Sequence, residues 1–228
     1  MTNDVSKEFE SGYFHGEGSN YPSSGYAAWW RLNYPKYVAS IREALQCYDR
    51  WPGLWLDLGC AYGYVAAQIA KLGLEVCGVD ISEHALRRAQ GLGVEVIRAS
   101  ADCLPFRSYA VDAICAFEVL EHVAEPLKAV REISRVGHKG CAILLTTPTK
   151  RKRTDRDRTH VSIQPAHAWL SQFAEVGVFP CRFLYMRRDV QILNLAVRAL
   201  PLRFRYVLFY LLARIAIPSA LWVMLRKA

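Results

Sequence analysis

Gly59 and Gly63 bracket the turn in Leu56-Asp57-Leu58-Gly59-Cys60-Ala61-Tyr62-Gly63, which joins an apolar strand pattern to a helical one. Glycine lets the backbone turn sharply and approach a ligand where a Cβ would collide, and the following helix offers unpaired N–H groups to an anionic small molecule. Asp80, in Gly78-Val79-Asp80-Ile81, closes the next strand, where a carboxylate can accept both hydroxyls of a ribose. Asp102, in Ala101-Asp102-Cys103-Leu104-Pro105-Phe106, ends the third strand region at the level of an adenine amine. Glu118, Glu121 and His122 follow at i, i+3 and i+4, which on a helix is one face. Two carboxylates and an imidazole suit a divalent cation, and His160 could add a ligand from the next loop. Without a metal, His122 or His160 is the candidate general base, because an imidazole titrates near neutral pH.

The elements that must position these residues alternate. Leu54–Leu58, Glu75–Val79, Val94–Arg98, Ala113–Phe117 and Ala142–Thr146 read as apolar strands. Tyr64–Lys71, Glu83–Leu92, Leu127–Val136 and Gln164–Val176 read as helices, and Tyr37–Tyr48 as a helix feeding the first strand. Continuous apolar strands separated by helices imply a parallel sheet covered on both faces, with ligands at the carboxyl ends of its strands. Residues 1–35 are rich in Gly, Ser, Tyr and Trp without a clean period, and read as an aromatic arm that covers a ligand. Lys150–Arg158 is a charge run without an apolar face, hence a loop.

Composition narrows the class. The chain of 228 residues is 52% hydrophobic and 22% charged, which excludes a disordered or collagenous protein and leaves room for a core. Its 7 cysteines include no C-x-x-C pair, so neither a disulfide framework nor a zinc ribbon is expected. Residues 1–15 lack a basic start followed by an apolar run, so the expectation is no secretory signal and a cytoplasmic location. Residues 1–150 hold 15 Lys/Arg against 17 Asp/Glu, and residues 151–228 hold 14 against 4, placing a charge of +10 on the last third. That asymmetry points to an anionic partner: nucleic acid, a phosphorylated substrate or a membrane surface.

The ordered motifs D-L-G-C-A-Y-G, G-V-D-I-S, A-D-C-L-P-F and V-L-E-H-V, across roughly residues 50–147, resemble the class I S-adenosylmethionine-dependent methyltransferases of the widespread small-molecule group. The resemblance implies an α/β Rossmann-like fold with a mostly parallel seven-stranded sheet. The expected layout of the chain is an aromatic arm and helix over 1–50 that cover the active site, a cofactor-binding core over 51–190 and a basic, apolar helical tail over 191–228. Carried over residue by residue, Asp57, Gly59, Cys60, Ala61 and Gly63 surround the methionine end of S-adenosylmethionine, and Asp80 binds the ribose. Ile81, Ala101 and Asp102 meet the adenine, and Phe117 completes the cofactor set. Ala61 stands where the family usually has glycine, and Val136-Gly137-His138-Lys139-Gly140 replaces the usual L-K-P-G-G. The pattern E-x-x-E-H with a distant His looks like the metal site of the small-RNA 2′-O-methyltransferases, and similar segments occur in ubiquinone-biosynthesis O-methyltransferases. It implies a metal set of Glu118, Glu121, His122 and His160, against which stands the reading of Glu121 as a helix cap and His122 as an internal hydrogen-bonding group.

Val207–Leu225 has 16 hydrophobic residues in 19, interrupted by Arg214, Pro218 and Ser219. The length approaches a membrane span, but Arg214 and Pro218 favour a helix lying in anionic headgroups, peripheral to the membrane. The alternative is a helical cap packed on the core or on a homodimer partner. The expected function is methyl transfer to a small or lipid-linked acceptor at oxygen. An RNA acceptor would use the basic third, but no base-reading motif accompanies it. A non-catalytic binding module and a nicotinamide dehydrogenase share the architecture; the intact turn argues against the first and the Gly-x-x-x-Gly spacing against the second.

Overall fold

The βα alternation becomes a single sheet in the computed structural model, which describes residues 5–46, 53–150, 155–183, 204, 207 and 220–228. A 3-10 helix, Val5–Phe9, leads to α1 (Ser11–Phe14) and α2 (Gly25–Leu45). Then follow β1 (Leu54–Leu58), α3 (Tyr64–Lys71), β2 (Glu75–Asp80), α4 (Glu83–Gln90), β3 (Glu95–Arg98) and β4 (Val111–Phe117). The remainder is α5 (Pro126–Val136), β5 (Gly137–Pro148), α6 (Ala166–Glu175), β6 (Val178–Phe183) and β7 (Ala220–Lys227). The seven strands are ordered β3-β2-β1-β4-β5-β7-β6. The first five in that order run parallel, and β7 is antiparallel to both β5 and β6.

The period of two along each strand divides the core. Leu56, Leu58, Ile114, Ala116, Ile143 and Leu145 face α5 and α6, where Ile133, Trp169 and Phe173 are fully buried. Trp55, Ala113, Cys115 and Leu144 face the other way, against Trp30, Tyr37 and Ile41 of α2 and Val65 and Ile69 of α3. Each large apolar side chain buried this way contributes about 1.5–3 kcal/mol. Both faces are therefore covered, and the carboxyl ends of β1, β2, β3 and β4 meet at one edge.

Two expectations are corrected. The arm over 1–35 is not irregular: helix α2 begins at Gly25, well before the expected start at Tyr37, because Trp30, Tyr37, Ile41 and Ala44 form one buried stripe across it. Residues 47 and 48 of the expected helix lie outside the described residues. The second correction concerns the tail, whose residues 220–227 are strand rather than helix. Leu221, Val223 and Leu225 pack in the core opposite α5 and α6, and Met224 packs on the α2 side, so this stretch offers no face to headgroups. Residues 208–219 lie outside the described residues. Among the described residues no helix is long and apolar enough to cross a membrane.

Candidate active site

The turn after β1 is built by backbone constraints. Gly59 has φ +68°, and a Cβ there would lie 2.4 Å from Val119 Cγ2, so only glycine fits. The Gly59 and Cys60 N–H groups donate to the Val79 carbonyl at 2.7 and 3.0 Å, which fastens the turn to β2. Gly63, with φ +74°, opens α3, and a Cβ there would lie 2.7 Å from Ala89 Cβ on α4. Ala61 adopts φ +46°, a left-handed conformation that costs a residue with a Cβ roughly 1–2 kcal/mol.

Asp80 is held by the same turn. Its Oδ2 accepts from Ala61 N and its Oδ1 from Ser82 N, both at 2.8 Å, while burial raises its pKa against these bonds. Asp57 accepts from Ala66 N at 3.0 Å and is buried, which pushes its carboxyl up to about 8. It ties the start of α3 to β1 from beneath the turn.

A cavity of about 560 Å³ opens at this edge of the sheet. Gly59, Ala61, Asp80, Ile81, Ala101 and Asp102 line one end of it, as the sequence leads one to expect. Asp57, Cys60, Gly63 and Phe117 do not line it. Cys60 Sγ packs where a Cβ on Gly78 would fall at 2.8 Å, and the Phe117 ring lies on the α2 side, 5.1 Å from the Tyr37 ring centroid. Of the three aspartates carried over from the resemblance, Asp80 and Asp102 are thus in the wall and Asp57 is not. Phe9, Tyr13, Phe14 and Tyr21 of the N-terminal segment also line the cavity.

Glu118, Val119, His122, Thr159 and Val161 line the remaining wall. Glu118, at φ +56°, ends β4 with its N–H donating to the Thr146 carbonyl at 2.9 Å. Only Leu120–His122 form a 3-10 turn, so the expectation of one helical face for Glu118, Glu121 and His122 is corrected. Glu121 is fully buried; its Oε2 accepts from Thr147 Oγ1 at 3.1 Å, and its Oε1 has no hydrogen-bond partner among the described residues. Burial, reinforced by Glu118, holds its carboxyl well above the usual range. His122 is pushed down to about 4 by burial and then by His160. The two imidazole centroids are 4.8 Å apart.

One ligand atom each from Glu121, His122 and His160 lies within 4.8 Å of the others. Glu118 is not part of that group and belongs to the cavity wall. His160 lies behind His122 rather than in the wall, with Nδ1 3.0 Å from Asp155 Oδ2. The sequence reading passed over Tyr13, Asp155, Asp157 and Thr159, although the alternation Asp155-x-Asp157-x-Thr159 just before His160 signals polar side chains at every second position.

Residues 56–145 match the family model described as a methyltransferase domain. A Mycobacterium tuberculosis protein named "Probable S-adenosylmethionine-dependent methyltransferase" is 34% identical over 97 residues, which is 42% of this chain and 35% of the relative. The ubiquinone biosynthesis O-methyltransferase of Parvibaculum lavamentivorans is 29% identical over 99 residues, 41% of this chain and 39% of that protein. The match therefore spans little more than a third of these relatives' lengths. An S-adenosylmethionine-dependent methyltransferase from Mesorhizobium loti superposes with a TM-score of 0.56 at 19% identity, covering 83% of this chain and 98% of that one. The [4+2]-cyclase SpnF superposes with a TM-score of 0.59 at 22% identity, covering 86% of this chain and 80% of that one. At these identities the solved structures speak for the fold alone.

Proposed function

We propose, for a chain that carries the class I S-adenosylmethionine-dependent methyltransferase fold with its methyltransferase domain at residues 56–145, that it transfers a methyl group from S-adenosylmethionine to an oxygen of a small, apolar acceptor. The observation that carries the reading is a single cavity with a nucleoside-like wall at one end and His122 at the other, under an aromatic roof.

S-adenosylmethionine, when bound, supplies a methyl group already activated on a sulfonium, so alignment is the protein's main task. The residues fit it. Gly59 leaves room where any Cβ would clash, and each Asp80 oxygen takes one backbone N–H and keeps a lone pair for a ribose hydroxyl. Ile81, Ala101 and Asp102 line the same end of the cavity and would meet the adenine. Phe9, Phe14 and Tyr21 keep water out of the acceptor end and favour an aromatic or prenylated acceptor, in keeping with the name of the ubiquinone-biosynthesis relative.

An oxygen acceptor must lose its proton, and an imidazole whose conjugate acid is pushed down to about 4 is a weak base but a good neutral ligand. The orphaned Glu121 Oε1 costs roughly 1–3 kcal/mol if it stays unpaired, which suits a cation partner better than a packing role. Glu121, His122 and His160 would hold a divalent cation whose charge would acidify the acceptor hydroxyl.

The test is transfer of label from methyl-labelled S-adenosylmethionine into the lipid and small-molecule fractions of a cell extract. A labelled ether product is expected, with chelator and His122→Ala each abolishing it. If the protein binds the cofactor yet labels no fraction, the transferase reading fails; undiminished turnover in chelator would remove the cation.

A further inference from the structure

His122 is held by a hydrogen-bond chain that starts in the N-terminal arm. Tyr13 Oη donates to Asp157 Oδ2 at 3.1 Å. Asp157 Oδ1 accepts from both the N–H and the hydroxyl of Thr159, at 3.0 and 2.5 Å. Thr159 Oγ1 then lies 2.7 Å from His122 Nδ1. Tyr13, Asp157 and Thr159 are all buried, so water does not compete for these bonds.

A threonine hydroxyl has one proton, and a carboxylate only accepts. The Thr159 proton is committed to Asp157, so toward His122 the same oxygen can only accept. The proton in that 2.7 Å contact must come from Nδ1. A neutral imidazole that carries its hydrogen on Nδ1 leaves its lone pair on Nε2.

We propose that Thr159 and Asp157 are positioning residues that select the Nδ1–H tautomer of His122, with Tyr13 closing the chain from the arm, so that Nε2 presents its lone pair for the chemistry of the cavity. Both roles open to His122, ligand or base, need that nitrogen bare. The neighbouring histidine is treated in the same way: His160 Nδ1 meets Asp155 Oδ2 at 3.0 Å, and Asp155 Oδ1 accepts from Asn20 Nδ2 of the arm at 2.8 Å. Asn20 Oδ1 in turn accepts from Arg156 N at 2.9 Å, and the Gly18 carbonyl from Arg158 N at 3.0 Å. Docking of the arm and orientation of the imidazoles are therefore one hydrogen-bonded arrangement, which is why Tyr13 belongs to it.

The inference rests on the reading that His122 serves the reaction, and the test separates the two. The 15N chemical shifts of the His122 ring in the full-length, histidine-labelled protein report the tautomer directly. Wild type and Thr159→Ser are expected to show a protonated Nδ1 and a bare Nε2, whereas Thr159→Val, with the same shape and no hydroxyl, is expected to populate Nε2–H. Turnover should fall roughly 10–100-fold in Thr159→Val with the KM for S-adenosylmethionine unchanged, and recover in Thr159→Ser. Tyr13→Phe, which removes only a hydroxyl and leaves the Thr159–Asp157 bond in place, is the second variant and should keep the Nδ1–H ring. An Nε2–H ring in wild type, or an unaltered Nδ1–H ring in Thr159→Val, overturns the inference. A shifted tautomer with undiminished turnover upholds it and removes His122 from the proposed reaction.

Discussion

Asp80 offers each carboxylate oxygen to one backbone N–H, and under the proposed function each would also take a ribose hydroxyl. Asp80→Ala removes these bonds together, and at about 1.5–3 kcal/mol for a charge-assisted hydrogen bond the Kd for S-adenosylhomocysteine should rise roughly 10–100-fold by calorimetry. Gly59→Ala combines a left-handed backbone with a Cβ 2.4 Å from Val119 Cγ2. Thermal unfolding should show a loss on the order of 2–4 kcal/mol, and cofactor binding should go with it. Asp57 has a different consequence. Burial raises its pKa from 3.8 to about 8, so the folded state holds a proton that the unfolded chain releases. Its contribution to stability is whole below about pH 4 and is lost as pH rises toward 8. Melting temperatures of wild type should therefore fall across that window, and Asp57→Asn should flatten the slope. At this scale the types of Gly59, Asp80 and Asp102 and their places in the turns led to residues that line the cavity. Asp57, Cys60 and Phe117 were expected in the same set but do not line the cavity, because a strand end alternates between the cavity side and the interior, and one residue's shift decides which.

Among the elements, the βα units up to β5 were legible because their apolar periods are clean and glycines or prolines punctuate them. Strand β7 was not. A strand hydrogen-bonded on both edges and covered on both faces, as Leu221, Val223, Leu225 and Met224 are, is apolar at successive positions, and hydropathy alone cannot tell it from a buried or interfacial helix. The turn signal Pro218-Ser219 just before it was the available clue. Leu221→Ala should cost about 2–5 kcal/mol in denaturant unfolding, since the side chain is fully buried and its neighbours cannot easily collapse into the space. A helix lying on a membrane would lose almost no folding stability from the same change. The arm was half legible: its aromatic content announced a cover, but the first half of α2 was missed because its stripe begins with Trp30 rather than with aliphatic residues.

For the whole molecule, the formal charge of +8 and the basic last third do not by themselves select a partner, because some of those charges have structural employment. Lys227 donates to the Ser134 and Gly137 carbonyls at 2.6 and 2.9 Å, fixing the last strand against the end of α5. What the assembled parts do form is a cavity of about 560 Å³, lined at one end by Gly59 and Ala61 of the turn after β1 and by Asp80 at the end of β2. The architecture is shared with nicotinamide enzymes and, in the cyclase SpnF, with a protein named for a different reaction, so binding must be measured rather than inherited from the fold. Isothermal titration of the full-length chain with S-adenosylmethionine, S-adenosylhomocysteine and NAD is the most direct test. Saturable binding of the two sulfur nucleosides, weakened at least tenfold by Asp80→Ala, with no heat from NAD is the expected result. A folded protein that binds NAD, or that gives no heat with either sulfur nucleoside, would contradict it.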